Sequence, residues 1–238
     1  MTTTTSTPHH GPHATTSTLP EEEPQARILG IPIDVRGVSE PAVRLRMFDP
    51  ENPDLLVPRA AGVGWDLNFG ALAVRLGLIR HDDSPGDLTA HIPPALARTL
   101  PALPVVAAAA TSVAALAVAA RHDRLPTGFT ATFLPKGDDA AWRALLPPLT
   151  IAWGAAAWSV VTHRRSGIDL VGAAGATGLG AMTTALVAAT GRAATRRGRR
   201  SLLAGGALLS YPILTGGIIV ATLKAALVRL KEELRAAR

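Results

Sequence analysis

The chain has 238 residues, with 24 Lys and Arg, 18 Asp and Glu and no Cys, for a formal net charge of +6. The absence of Cys excludes disulfides and thiolate metal sites. Residues 1–98 carry eight basic and twelve acidic residues, whereas residues 99–238 carry sixteen and six. A basic excess between apolar runs suits anionic lipid headgroups, so we expect a lipid bilayer as partner and no nucleic acid.

The first segment, residues 1–26, is rich in Thr, Pro and Ser and has no apolar periodicity. Such a segment cannot bury enough apolar surface to offset its ordering entropy, and we predict a disordered tail. It also lacks the apolar stretch of a secretory signal peptide.

Residues 27–92 are predicted to form a small, irregular α+β module in water. Residues 28–35 are rich in β-branched side chains, but Pro32 limits them to a short or edge strand. Residues 55–58 read as extended chain, and residues 65–80 have apolar positions near helical spacing. A module with so few large apolar groups is marginal alone, so we expect it to lean on the rest of the protein.

Two aromatic residues of the module suggest how it docks. Trp65 and Phe69 are four residues apart and would share one face if the stretch is helical, with Asn68 flanking that face. We therefore predict that Trp65, Asn68 and Phe69 form a docking surface toward the protein's own apolar helices.

Four later stretches contain no charged side chain: residues 99–120, 144–162, 170–191 and 201–223. Runs of roughly 20 residues match the hydrocarbon thickness of a bilayer, and in lipid the backbone must satisfy its own hydrogen bonds. We predict an all-α, multi-pass protein of the cell membrane, with four transmembrane helices in residues 93–223 and the small α+β module before them.

The third span carries Gly172, Ala176 and Gly180 at a spacing of four residues. Small residues at this spacing let helix backbones approach closely, so we predict that these three positions pack against a neighbouring helix. In the second span, Pro147 and Pro148 predict a kink or a helix start, with residues 144–146 as an entry turn. Residues 224–238 predict a basic amphipathic tail lying at a surface.

No span contains Asp, Glu, Lys, Arg or His, and such a buried charge is the usual mark of an ion site or proton relay. We expect no catalytic residues, no metal ligands and no cofactor. An enzyme is the least favoured alternative, and its candidate residues are two polar clusters that read first as solvated loops: His81, Asp82, Asp83 and Asp87, and then Arg121, His122 and Asp123.

Three short motifs carry a family resemblance. They are residues 27–34 (RILGIPID), 48–59 (FDPENPDLLVPR) and 62–70 (GVGWDLNFG). Together they resemble an actinobacterial module known as domain of unknown function 5808, over about residues 27–80. The matching positions are Asp34, Asn52, Pro53, Pro58, Gly62, Gly64, Trp65, Asn68 and Phe69, and the departures are Ile33 for Tyr and Ala61 for an aromatic. The resemblance implies an actinobacterial source and no particular activity.

A second stretch, residues 125–136 (LPTGFTATFLPK), is similar to a loop of membrane proteins grouped as domain of unknown function 1648. That group includes immunity proteins against a sporulation-delay toxin. This chain has Gly128, Phe133 and Lys136 where the family pattern has His, Gly and Asp, while Pro126, Phe129 and Pro135 match it. The resemblance, taken over residues 121–140, implies an immunity-like role.

These observations favour a non-enzymatic membrane protein that binds an unknown protein partner or acts at the envelope in an immunity-like or regulatory role. The alternative is a small transporter or channel subunit that works as a homo-oligomer, because four slender spans enclose little. Lys and Arg number nine on each side of the predicted spans, so their distribution decides no orientation. We place both termini in the cytoplasm, since translocating 98 residues without a signal peptide is the less economical route.

Overall fold

A computed structural model describes most of the chain. The described residues are 27–28, 31–34, 40, 43, 45–59, 62–82, 88–196 and 198–237. The predicted disordered segment, residues 1–26, lies outside the described residues.

In its described residues, the N-terminal module is built from short strands and short helical segments, among them the 3-10 turn Arg46–Phe48. Strands β1 (Arg27–Ile28), β2 (Ile31–Asp34) and β4 (Gly62–Val63) form an antiparallel sheet in the order β1-β2-β4. Strands β3 (Leu56–Pro58) and β5 (Trp65–Leu67) form a separate antiparallel pair, in which Val57 faces Asp66. Helix α1 (Phe69–Arg75) follows directly.

This arrangement corrects the expectation of a helix over residues 65–80. The chain stays extended through Leu67 because β5 pairs with β3, and the helix begins only after Asn68. The side chain of Asn68 accepts hydrogen bonds from the backbone amides of Gly70 and Ala71, which is the geometry of a helix N-cap. Trp65 and Phe69 therefore belong to different elements.

The next α-helices whose full extent is described are α2 (Pro94–Thr99), α3 (Leu103–Ala119), α4 (Ala141–Ser166), α5 (Leu170–Thr195) and α6 (Leu202–Ala236). A 3-10 turn, Leu100–Ala102, joins α2 to α3 and accommodates Pro101. Within the described residues, four helical segments are long and apolar enough to cross a membrane: Pro94–Ala119, Ala141–Arg165, Leu170–Thr195 and Leu202–Ala236. The predicted fold class is confirmed.

The helices extend beyond the predicted spans. The first begins five residues earlier, and α4 begins at Ala141 rather than near residue 147, so Pro147 and Pro148 lie inside it. Helix α6 has 35 residues, or about 52 Å at 1.5 Å per residue. A hydrocarbon core about 30 Å thick needs only about 20 of these residues, so α6 is longer than one crossing requires, and its charged last turns follow the predicted span 201–223.

Helix α5 occupies the centre of the bundle, because it packs against α3, α4 and α6. Twelve of its side chains or glycine positions are buried, and most of them are Ala or Gly. Such small residues bring helix backbones close together, which is how helices associate where lipid supplies no hydrophobic driving force between them. Large apolar residues such as Val113, Leu116 and Ile151 are exposed on the outer helices, as lipid contact requires.

A two-step β-hairpin connects α3 to α4. Strand β6 (Arg124–Leu125) pairs with β9 (Asp139–Ala140), and β7 (Gly128–Phe129) pairs with β8 (Pro135–Lys136). At its tip Phe133 has a positive φ of 59°, and its carbonyl oxygen accepts a hydrogen bond of 2.8 Å from the amide of Ser201. The hairpin thus covers the start of α6.

Candidate functional site

The module and the membrane helices share one apolar core. On the module side this core contains Phe48, Phe69 and Ile79, all buried. On the bundle side it contains residues from the first turns of α5 and from the second half of α6: Leu170, Val171, Ala174, Ile219, Leu223 and Ala226. Burying one such aromatic side chain is worth about 1.5–3 kcal/mol, so this core holds the module against the spans.

Phe69 makes the closest approach to α6. Its ring lies over Gly216, where an added Cβ would come within 2.7 Å of Phe69 Cδ1. Because glycine alone leaves this space, the aromatic ring can pack directly onto the helix backbone. Phe69 is 4 % exposed.

Trp65 is placed differently. It lies on β5 with 48 % of its surface exposed, and it is not part of the shared core. The prediction that Trp65 and Phe69 share one helical face is wrong, because strand pairing with Pro58 holds Trp65 before the helix begins.

Asn68 is fully buried and organises the module from within. Its Oδ1 accepts hydrogen bonds from the amides of Asp49, Gly70 and Ala71 at 3.0–3.2 Å. Its Nδ2 donates to the carbonyl oxygens of Asp49 at 2.8 Å and Asn52 at 3.1 Å. One side-chain amide therefore caps α1 and ties it to the loop at residues 49–52.

A polar clamp joins the end of α6 to the linker before α2. His91 Nδ1 lies 2.9 Å from Glu233 Oε2, and Arg229 Nε donates to Glu233 Oε1 at 2.8 Å. Arg229 Nη1 also donates to the carbonyl oxygen of Ile92 at 3.0 Å. The hydrogen bonds from His91 and Arg229 lower the pKa of Glu233, which projects beyond the membrane span.

This clamp changes the picture of residues 224–238 as a surface-lying tail. Leu223 and Ala226 are fully buried, and Leu227 and Leu230 pack against the shared core. The apolar side of this segment is thus partly covered by the shared core, although Leu234 is 58 % exposed, and the polar side carries Arg229 and Glu233.

An open apolar groove of about 520 Å³ lies beside the shared core, between α1 and α6. Leu72 and Leu76 line it from the module, and Ile213 and Gly217 line it from the span. Leu76 is 63 % exposed and Ile213 is 66 % exposed. The groove lies along residues 212–224 of α6, and nearly all of its lining residues are apolar.

A cluster of hydroxyl groups marks the contact between α3 and α5. Thr111 Oγ1 lies 3.1 Å from Thr183 Oγ1, 2.8 Å from Thr184 Oγ1 and 3.1 Å from the carbonyl oxygen of Gly180. Thr111 and Thr183 are almost fully buried. Hydroxyls bonded to each other and to backbone oxygens between helices hold a membrane bundle together.

The three predicted packing positions of α5 have different surroundings. A Cβ on Gly180 would come within 2.6 Å of the Cβ of Ala107 in α3, and Ala176 is 5 % exposed. A Cβ on Gly172 would instead meet Asp169, which caps the same helix. Gly178 lies against Thr215 of α6, a contact that the four-residue spacing does not reveal.

Sequence reasoning also missed Phe48, Ile79 and the pairing of His91 with Glu233. His91 and Glu233 are 142 residues apart, and the core that contains Phe48 and Ile79 also takes in residues 170–226, so no local spacing marks these positions. Within the part of the chain that the structure describes, no group of three or more His, Asp or Glu side chains could hold a metal ion. Asp83 and Asp87, named for the enzyme alternative, lie outside the described residues.

Four apolar helices, with a strand-containing module packed on them, define a multi-pass membrane protein. A family model described as a family of unknown function, DUF5808, matches residues 50–75. These residues run from the loop at 49–52 through β3 and β5 to the end of α1, so they include Asn68 and Phe69. No curated protein and no solved structure matches the chain.

Proposed function

We propose that this protein is a non-enzymatic membrane protein whose bundle presents the module and its adjoining groove to a partner protein. The observation that carries the proposal is the shared core: Phe48 and Phe69 hold the module against α5 and α6, leaving the groove open beside them. An exposed groove that is lined almost entirely by apolar residues fits an apolar partner helix better than a soluble ligand.

A photo-crosslinking amino acid at Leu76 tests this proposal in native membranes. The control position is Leu116 on α3, which is 71 % exposed but lies outside the groove. We expect a discrete adduct from position 76 alone, and its loss when Gly217→Leu fills the groove, because Gly217 has open space around it. Equal adducts at both positions, or no effect of Gly217→Leu, would count against a partner site here.

The immunity-like role rests on the hairpin. The backbone at Phe133 is left-handed, with φ of 59°, at the position where the domain 1648 pattern has Gly. Left-handed backbone favours glycine, so this hairpin geometry supports a relation to that loop. An actinobacterial source likewise stays a prediction from the domain 5808 resemblance.

The competing proposal is a small transporter or channel subunit that acts as a homo-oligomer. Its candidate pathway is the hydroxyl cluster around Thr111, whose groups are engaged with one another and with the backbone. Purified protein in liposomes separates the two proposals. Solute flux that Thr111→Val abolishes would favour transport, and a self-adduct of twice the chain mass from position 76 would favour an oligomer.

A further inference from the structure

The turn between α5 and α6 forms a strongly basic pocket of about 490 Å³. Four arginines line it: Arg192, Arg196, Arg199 and Arg200. Among the described residues, none of these four guanidinium groups forms an ion pair. Four like charges around one pocket repel each other unless an anion is present to compensate them.

The pocket also contains the start of α6. Ser201 caps this helix by accepting a hydrogen bond from the amide of Ala204, while the amides of Leu202 and Leu203 donate to no described residue. Free amides at the start of a long helix attract negative charge. The free amides and the arginines therefore both favour an anionic group in this pocket.

An apolar cleft of about 460 Å³ adjoins this pocket and shares Arg192 and Leu203 with it. Small apolar residues of α3 and α5, such as Val118, form most of its lining, and Arg121 and His122 at the end of α3 also border it. A basic pocket that opens into a mostly apolar cleft at the end of membrane spans is complementary to an amphiphile. The pocket fits a negatively charged head group, and the cleft fits a hydrocarbon tail.

We propose that this combined pocket binds an anionic phospholipid, with the phosphate at Arg196 and Arg200 and an acyl chain in the cleft beside Val118. Arginine suits the phosphate because its planar guanidinium donates two parallel hydrogen bonds to phosphate oxygens. The cleft distinguishes this ligand from free phosphate, which has no apolar part to bury.

The test uses native mass spectrometry of the full chain in detergent, titrated with palmitoyl-oleoyl phosphatidylglycerol or the matching phosphatidylcholine. We expect one phosphatidylglycerol to bind tightly and phosphatidylcholine about tenfold or more weakly. Arg196→Gln with Arg200→Gln should reduce phosphatidylglycerol binding about tenfold. The matched control is Arg164→Gln with Arg165→Gln. It removes the same charge from exposed positions in the last turn of α4, at the opposite end of the bundle, and should leave binding unchanged.

Three results would overturn the proposal. The first is equal wild-type affinity for the two lipids, which needs no variant and so holds even if the double variant fails to fold. The second is an equal loss in both double variants, which would show a general charge effect. The third is full displacement of the lipid by millimolar inorganic phosphate, which would make this a free-phosphate site.

Discussion

Asn68 shows how one side chain can organise a module that is poor in apolar residues. It uses both its acceptor and its donor atoms, and it is fully buried within residues 50–75, which match the family model. No other side chain of similar size combines two N–H donors with an oxygen acceptor in this geometry. The requirement is therefore for asparagine, and a carboxylate cannot replace it.

We predict that Asn68→Asp destabilises the module by about 2–3 kcal/mol, because a carboxylate can cap α1 but cannot donate to the carbonyls of Asp49 and Asn52. Limited proteolysis of the purified full chain should then cut within the module. Asn52→Asp is the matched control, since among the described residues the Asn52 side chain only accepts a hydrogen bond, from the amide of Asp54. Equal protease resistance of the two variants would contradict this role for Asn68.

Helix α1 and helix α5 each pack closely against a neighbouring helix at a glycine. For α1 the glycine belongs to the neighbour, α6, and for α5 it belongs to α5 itself. Phe69 of α1 packs onto Gly216, and Gly180 of α5 packs onto Ala107. Both contacts join elements distant in the chain, so each element owes its position to packing rather than to its own propensity.

For α1, we expect Phe69→Ala to cost about 3–5 kcal/mol, as removal of a buried aromatic side chain usually does. The module should become accessible to protease while the four spans remain inserted. Trp65→Ala is the matched aromatic control and should have a much smaller effect, because Trp65 is half exposed. If Trp65→Ala releases the module and Phe69→Ala does not, the docking surface has been placed on the wrong residue.

For α5, Gly180→Ala should lower the free energy of unfolding in detergent by about 1–3 kcal/mol, since the new methyl group overlaps the Cβ of Ala107. Gly175→Ala has open space around it and serves as the control. Adding Ala107→Gly to Gly180→Ala should restore part of the loss. Failure of this second change to rescue would show that the α3–α5 contact is looser than the structure indicates.

The two ends of the bundle differ in character. One end carries the hairpin and the arginine pocket, and the other carries the module, the clamp and both termini of the described chain. Because the counts of Lys and Arg balance, orientation is proposed from the cost of moving the N-terminal residues across the membrane. The chain has no Cys, so single introduced cysteines report orientation without background.

We predict that Ala131→Cys, exposed on the hairpin, reacts with a membrane-impermeant maleimide in intact cells. Ala236→Cys, exposed at the end of α6, should react only after permeabilisation. This pattern follows from placing both termini in the cytoplasm. The opposite pattern would reverse the orientation and would move the arginine pocket to the cytoplasmic leaflet.

The sequence alone determined the four spans and the existence of a separate module, because long charge-free runs have one stable outcome in lipid and each helix satisfies its own backbone. The sequence also marked Phe69, Asn68 and Gly180 as packing or docking residues. The reason given for Phe69 and Asn68 was wrong, because Trp65 and Phe69 do not share a helical face. Only the tertiary structure decided that β5 keeps Trp65 out of the shared core, that Glu233 meets His91, and that Arg192 and Arg200 line one pocket. These features depend on contacts between residues far apart in the chain, or on the three-dimensional course of a turn, and periodicity along a sequence records neither.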